Sequence, residues 1–334
     1  MNRYFYGSEK LHLLKTLHSA SRDDDTETIE RLLDQATNDI DIDGTIASQR
    51  NEPTALQIAC MWGNLSTVRL LLDRGANIEA RDKCLQAPLH HASMKNSLEV
   101  AQLLLDRGAN VEAKDHNLQT PLHFISSRNN VEFAQLLLDR GANIEAKDEE
   151  LQTPLYHAMN AEYQRGRTQR MDVAVLLLAR GADSNANGKH GWRLLHAVCA
   201  SNNCLAAQML IDHDATGINA KDDTELTPLH LTCIHGRYQA ARLLLNRGAT
   251  VNSREKNQLT PLHLACSHGH VELARLLLDR QADIEAKTIS RGNQLVAGSR
   301  CKLRLEDIMQ GRADTVVHGM SGQAAGHCMD VIAA

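Results

Sequence analysis

Aromatic side chains are nearly missing from this 334-residue chain: two Trp, five Tyr and three Phe make up 3% of it. A large core knitted from rings is therefore excluded, and apolar burial has to rest on Leu, Ala, Ile and Val. Long apolar runs are missing as well. The longest, Val173 to Ala179, falls far short of the ~20 residues a membrane-spanning helix needs. The opening Met1-Asn2-Arg3-Tyr4-Phe5-Tyr6 runs into Ser8-Glu9-Lys10 without the continuous apolar stretch of a secretory signal. An intracellular setting, cytoplasmic or nuclear, is expected. Neither sign of charge dominates, since 36 Lys+Arg face 41 Asp+Glu for a net −5 with neutral histidines, and no basic block is present. Nucleic acid is not an expected partner, because phosphate binding needs a concentrated basic footprint. The eight cysteines, at 60, 84, 199, 204, 233, 266, 301 and 328, include no C-x-x-C pair, so zinc modules are not indicated and reduced thiols are the default. Gly-rich phosphate loops and protease, kinase or transferase signatures are absent. The sequence predicts no catalysis and calls for no cofactor.

What the chain has in abundance is repetition. Thr120-Pro121-Leu122-His123 returns as Thr153-Pro154-Leu155-Tyr156, Thr227-Pro228-Leu229-His230 and Thr260-Pro261-Leu262-His263. Weaker copies stand at Lys15-Thr16-Leu17-His18, Thr54-Ala55-Leu56-Gln57, Ala87-Pro88-Leu89-His90 and Arg193-Leu194-Leu195-His196. First positions at 15, 54, 87, 120, 153, 193, 227 and 260 give steps of 39, 33, 33, 33, 40, 34 and 33. A second phrase follows in register, as in Leu103-Leu104-Leu105-Asp106-Arg107-Gly108-Ala109-Asn110 and Leu276-Leu277-Leu278-Asp279-Arg280-Gln281-Ala282-Asp283.

This 33-residue unit with its T-P-L-H phrase resembles the ankyrin repeat, a turn plus two helices. The resemblance covers roughly Lys15 to Lys287 and implies an all-α repeat solenoid, elongated and curved, that binds proteins. About eight repeats are expected. A segment 1–14 precedes a degenerate capping repeat at 15–53, seven repeats fill 54–292, and 293–334 form a degenerate final repeat or a loose tail.

The residues support the same architecture by themselves. Thr120 can cap a helix through its hydroxyl, with Pro121 where a missing N–H costs nothing. His123, three residues on, can reach back to the cap. Val131, Ala134, Leu137 and Leu138 place one apolar stripe on a second helix, which Gly141 ends, as Gly75, Gly108, Gly181 and Gly248 do elsewhere. A hairpin-like finger then leads to the next unit. Two short helices cannot bury their own stripe, so each unit has to stack on its neighbours. The first excess over the period lies around Thr37 to Arg50. The second, Glu162 to Gln169, reads as an exposed basic loop.

Seventeen histidines invite a metal reading, and Cys266-Ser267-His268-Gly269-His270 is the densest ligand cluster. Periodicity points elsewhere. Cys60, Cys199, Cys233 and Cys266 share the fourth place after the motif leucine and are expected to be small buried fillers. Arg81, Lys114, Lys147, Lys221, Arg254 and Lys287 form a basic row, and the adjacent Asp82, Asp115, Asp148, Asp222 and Glu255 form an acidic one. Together they read as a solvated surface of alternating sign.

If packing fixes the scaffold positions, partner information must sit where repeats differ. In the fingers these positions include Lys83, Gln86, His116, Asn117, Glu149 and Trp192. At the ends of the first helices they include Met61, Trp62, Met94, Lys95, Arg128, His235 and His268. The resemblance places both sets on a concave binding face. Trp62 and Trp192 are either anchors for a partner or covers for a neighbouring finger. Leu85, Leu118 and Leu151 stand where the family usually has glycine, and either pack finger on finger or form an exposed apolar row. The reading is a non-enzymatic, monomeric scaffold for a protein or peptide partner. Its alternatives are a substrate-recruiting adaptor of a larger regulatory, ubiquitin-related complex, or the non-catalytic part of an ankyrin-bearing enzyme.

Overall fold

A computed structural model describes residues 2–35, 40–46, 51–160, 171–289 and 295–296. The expected basic loop at Glu162–Gln169 and most of 293–334 lie outside the described residues. The chain divides into two compact units, Met1–Lys189 and His190–Ala334.

In the first unit helices come in pairs: α1 (Asn2–Asp23) with α2 (Thr26–Gln35), α3 (Ala55–Trp62) with α4 (Leu65–Asp73), α5 (Pro88–Lys95) with α6 (Leu98–Asp106), α7 (Pro121–Arg128) with α8 (Val131–Asp139), and α9 (Pro154–Met159) with α10 (Asp172–Ala179). The α1 helix runs without a break from the segment expected as 1–14 into the first repeat. First helices pack on first helices, α1 on α3, α3 on α5, α5 on α7 and α7 on α9. The motif leucines Leu56, Leu89, Leu122 and Leu155 are 0–1% exposed, each worth about 2 kcal/mol of burial. From the second helices Val68, Leu71, Ala101, Leu104, Phe133, Ala134, Leu137, Ala174 and Leu177 close the same layer.

The second unit repeats this with α11 (Leu194–Ala200) and α12 (Cys204–His213), α13 (Pro228–Ile234) and α14 (Tyr238–Asn246), and α15 (Pro261–Ser267) and α16 (Val271–Asp279). Two short antiparallel strands follow, β1 (Thr288–Ile289) and β2 (Leu295–Val296), with Thr288 opposite Val296.

The helix starts differ in one respect from the expected cap. The Thr54 and Thr153 hydroxyls accept from the amides of Gln57 and Tyr156. Where the third residue is histidine, the hydroxyl turns to the ring: Thr120, Thr227 and Thr260 Oγ1 lie 2.8–2.9 Å from Nδ1 of His123, His230 and His263. The same Nδ1 accepts the backbone N–H of the cap residue, at 3.0 Å for Thr120. Ala87 and Arg193 have no hydroxyl, yet their amides still donate to His90 and His196 at 3.1 Å. With Nδ1 an acceptor, Nε2 carries the proton. It donates to the next repeat, His90 to Gln119 O, His123 to Gln152 O, His196 to Leu226 O and His230 to Leu259 O, all at 3.1–3.3 Å. The motif histidine thus ties one repeat to the finger of the following one. Gln57 does the same job, its Oε1 accepting from Thr54 N–H and its Nε2 donating to Ala80 O and Gln86 O.

Candidate partner-binding face

The fingers are tight turns stapled by a carboxylate. Asp82 Oδ1 accepts from the amides of Cys84 and Gln86 at 2.9 and 2.8 Å. Asp115, Asp148, Asp222 and Glu255 repeat the arrangement on Asn117 and Gln119, Glu150 and Gln152, Thr224 and Leu226, and Asn257 and Leu259. These five acids are 3–7% exposed. The expected solvated row of alternating sign is thereby corrected. An aspartate that caps its own turn has to face inward, so its charge does not cancel the basic row outside. Burial works to raise the pKa of Asp82 and Asp148, but the adjacent His91 and His157 imidazoles and hydrogen bonds from turn amides outweigh it and hold both below the usual carboxylate range. The His157 Nε2 to Asp148 Oδ2 distance is 2.9 Å, and the corresponding His91 to Asp82 distance is 3.3 Å.

Successive fingers are laced by backbone bonds, Lys83 N–H to Asn51 O, His116 N–H to Cys84 O and Glu149 N–H to Asn117 O at 2.8–2.9 Å. The finger candidates Lys83, His116 and Glu149 therefore stand in register with exposed side chains, and Asn117 is half-buried. Gln86 is a correction: it is 9% exposed, its amide bonded to Asp82 and its carbonyl to Gln57. It offers a partner no side chain.

At the helix ends Met61 is 37% and Trp62 51% exposed. Lys95 Nζ lies 5.7 Å from the Trp62 ring centroid, a cation–π distance. Arg128 reaches back to donate to Met94 O at 2.9 Å. Met61, Trp62, Met94, Lys95 and Arg128 thus form one surface across three repeats of the first unit. Trp192, in the second unit, is half-buried. Its indole N–H donates to Asp222 Oδ2 at 3.1 Å and its ring stacks on His196, which makes it a cover for the next finger. There too, His235 is half-buried and His268 is exposed, with the His268 ring stacked on His270 at 6.1 Å. Cys60, Cys199, Cys233 and Cys266 are 0–2% exposed, as small fillers should be. Among the described residues no three of His, Cys, Asp and Glu are placed to hold a metal ion, and no helix is long and apolar enough to cross a membrane.

Sequence reasoning left the leucine row on this face undecided and read its lysines as cancelled by the adjacent acids. Leu85, Leu118 and Leu151 are exposed, at 52, 45 and 45%. Lys114 and Lys147 are exposed beside turns whose acids have gone inside. The signal was present in the Asp-x-x-Leu-Gln spacing, which is that of a side chain bonding its own turn amides.

A profile of ankyrin repeats in three copies matches residues 17–115, 165–255 and 195–288, and a second ankyrin-repeat profile of many copies matches 104–158. The chain belongs to the ankyrin-repeat family. It is similar to delta-latroinsectotoxin-Lt1a of Latrodectus tredecimguttatus, 33% identical over 86 residues, a match taking in 25% of this chain and 7% of the toxin. The chain thus spans a small fraction of that relative's length. Among solved structures it is similar to the ankyrin repeat domain of Bcl-3, described as a unique member of the IkappaB protein family. That match has a TM-score of 0.57 at 29% identity and covers 68% of this chain and 100% of the Bcl-3 domain. Ankyrin repeats are protein-interaction modules, and the repeat architecture of this chain is that of such a module.

Proposed function

We propose that this ankyrin-repeat chain is an intracellular, monomeric scaffold that takes up a protein or peptide partner on the face formed by its fingers and first-helix ends, with no catalytic step of its own. The observation that carries this is Trp62, half exposed beside Met61 with the Lys95 ammonium over its ring. A large amphipathic ring kept half in water on a rigid surface has the properties of an interface anchor. The lysine adds a charge that a partner carboxylate can meet.

Proximity labelling in cells, followed by binding measurements with the purified partner, tests the reading. Trp62→Ala is expected to weaken binding ~10-fold or more, since anchors of this kind dominate interface energetics. Met61→Ala should weaken it less. Wild-type affinity in a Met61→Ala/Trp62→Ala double variant would remove this face from the interface.

A further inference from the structure

Three leucines on consecutive fingers combine a backbone conformation that favours glycine with half-exposed side chains. Leu85, Leu118 and Leu151 hold φ of +57°, +59° and +59°, a conformation that glycine adopts freely and a Cβ-bearing residue resists. Each also leaves an aliphatic side chain about half exposed. Glycine would relieve both penalties at once. A strained conformation that leaves half of an aliphatic side chain in water directs attention to function as well as to folding.

The charges around these leucines are lopsided. Arg81 Nη1 donates to Leu85 O and to Lys114 O, both at 2.9 Å, so this repeat position lies against the turn leucine. Lys114 and Lys147 hold the position in the next two fingers, exposed and with no ion-pair partner among the described residues. The neighbouring acids are bonded within the fold, the aspartates from buried sites and the glutamates from half-buried ones. Asp82, Asp115 and Asp148 staple their turns, while Glu79, Glu112 and Glu145 accept the amides of Asn110, Asn143 and Asp183. Lys83 pairs with Glu52, and Glu150 with Lys189. Lys114 and Lys147 remain on the leucine row without an ion pair among the described residues, beside Glu149, an exposed carboxylate that is likewise unpaired there, and the half-buried, amide-bonded Glu112 and Glu145.

We propose that the Leu85–Leu118–Leu151 ridge, with Lys114 and Lys147, docks an extended acidic segment of a partner protein in which carboxylates alternate with aliphatic side chains. Backbone bonds from His116 N–H to Cys84 O and from Glu149 N–H to Asn117 O fix one leucine step per finger, so the segment places one apolar side chain on each turn and its carboxylates on the lysines between. The proposal rests on the interaction reading above and puts a contact on the finger turns as well as at Trp62.

The test uses the full chain and three short fluorescein-labelled peptides, one repeating Leu-Glu-Ser-Asp, one with serine for leucine, and one with lysine for both acids. The first is expected to bind ~10-fold more tightly than either control, in keeping with the weight of a few desolvated anchors. Leu85→Gly/Leu118→Gly/Leu151→Gly should lose that advantage while its melting temperature stays level or rises, which separates lost contact from lost fold. Lys114→Glu/Lys147→Glu should turn the preference toward the lysine peptide. Binding of the first peptide no tighter than the serine control, or unchanged in the triple glycine variant, overturns the proposal. With a partner obtained by proximity labelling, loss in Trp62→Ala but not in the triple glycine variant also overturns the ridge and leaves the scaffold reading standing. The converse loss supports the ridge.

Discussion

Moderate acid should weaken the first unit through His90 and His123. Burial is the main force that pushes both imidazoles from 6.5 down to about 4. The geometry agrees, since each Nδ1 already accepts a backbone N–H and has no room for a second proton. At His123 the repulsion of the His157 ring exceeds the attraction of Asp148, whereas at His90 the attraction of Asp115 exceeds the repulsion of either Arg81 or His91, and burial outweighs it. A histidine whose folded value lies below its unfolded value binds protons preferentially when unfolded, so stability is complete above about pH 6.5 and is lost as pH falls toward about 4. At pH 5 the loss works out to about 2 kcal/mol for each ring and about 4 kcal/mol for the pair. The lowered Asp82 and Asp148 act only below the usual carboxylate range, so pH 5 separates the histidines from these two carboxylates. Gln57 supplies the control, because it makes the same reach back and the same bond forward without titrating. Urea unfolding followed by circular dichroism at pH 7 and pH 5 should show the native chain losing stability, and His90→Gln/His123→Gln losing much less. An equal loss in the double variant would refute the assignment of acid lability to these two rings.

Other consequences can be checked in the same preparations. Phe133, fully buried, should cost about 3–5 kcal/mol when cut to alanine, read as a lower urea midpoint. Trp192→Ala should lower the melting temperature of the native chain and leave partner affinity nearly unchanged, because the indole is spent on Asp222 and His196. Burial pushes the Cys233 thiol up to about 12 and raises those of Cys60 and Cys199 as well. Iodoacetamide followed by peptide mapping should therefore leave these three unmodified in the native protein and, among the described cysteines, label half-buried Cys84 first.

The period of 33 carried most of the fold, because helix start, apolar stripe and glycine stop recur at fixed offsets and each has a local cause. What it could not carry were the interactions closed over a whole repeat. Trp192 reads as anchor or cover until Asp222, 30 residues on, is seen to take its N–H. The Thr120 hydroxyl has two bonding choices within one turn, and the histidine ring, absent at Thr54 and Thr153, decides between them. The leucines in glycine's place have no local rule at all, since only the turn geometry sets their positive φ.

The acid row is the case in which reading side chains as a surface misleads, and it yields a sharp prediction. A carboxylate adjacent to a lysine suggests mutual cancellation in water, where such a pair is worth at most about 1 kcal/mol. Asp115 instead holds two amides of its own turn, at 2.9 Å each, from a site 3% exposed. If it were a surface charge, alanine and asparagine would be equally harmless. If it is the staple, alanine strands two buried donors and should cost about 2–4 kcal/mol. Asparagine, whose Oδ1 can accept both amides, should cost less than half as much. Comparing urea midpoints of Asp115→Ala and Asp115→Asn decides the matter, and two indistinguishable midpoints near the native value would return the row to the solvent. The outcome also bears on binding, since a finger whose turn loosens no longer holds Leu118 and Lys114 in fixed relation, and a ridge made of such pairs depends on that rigidity.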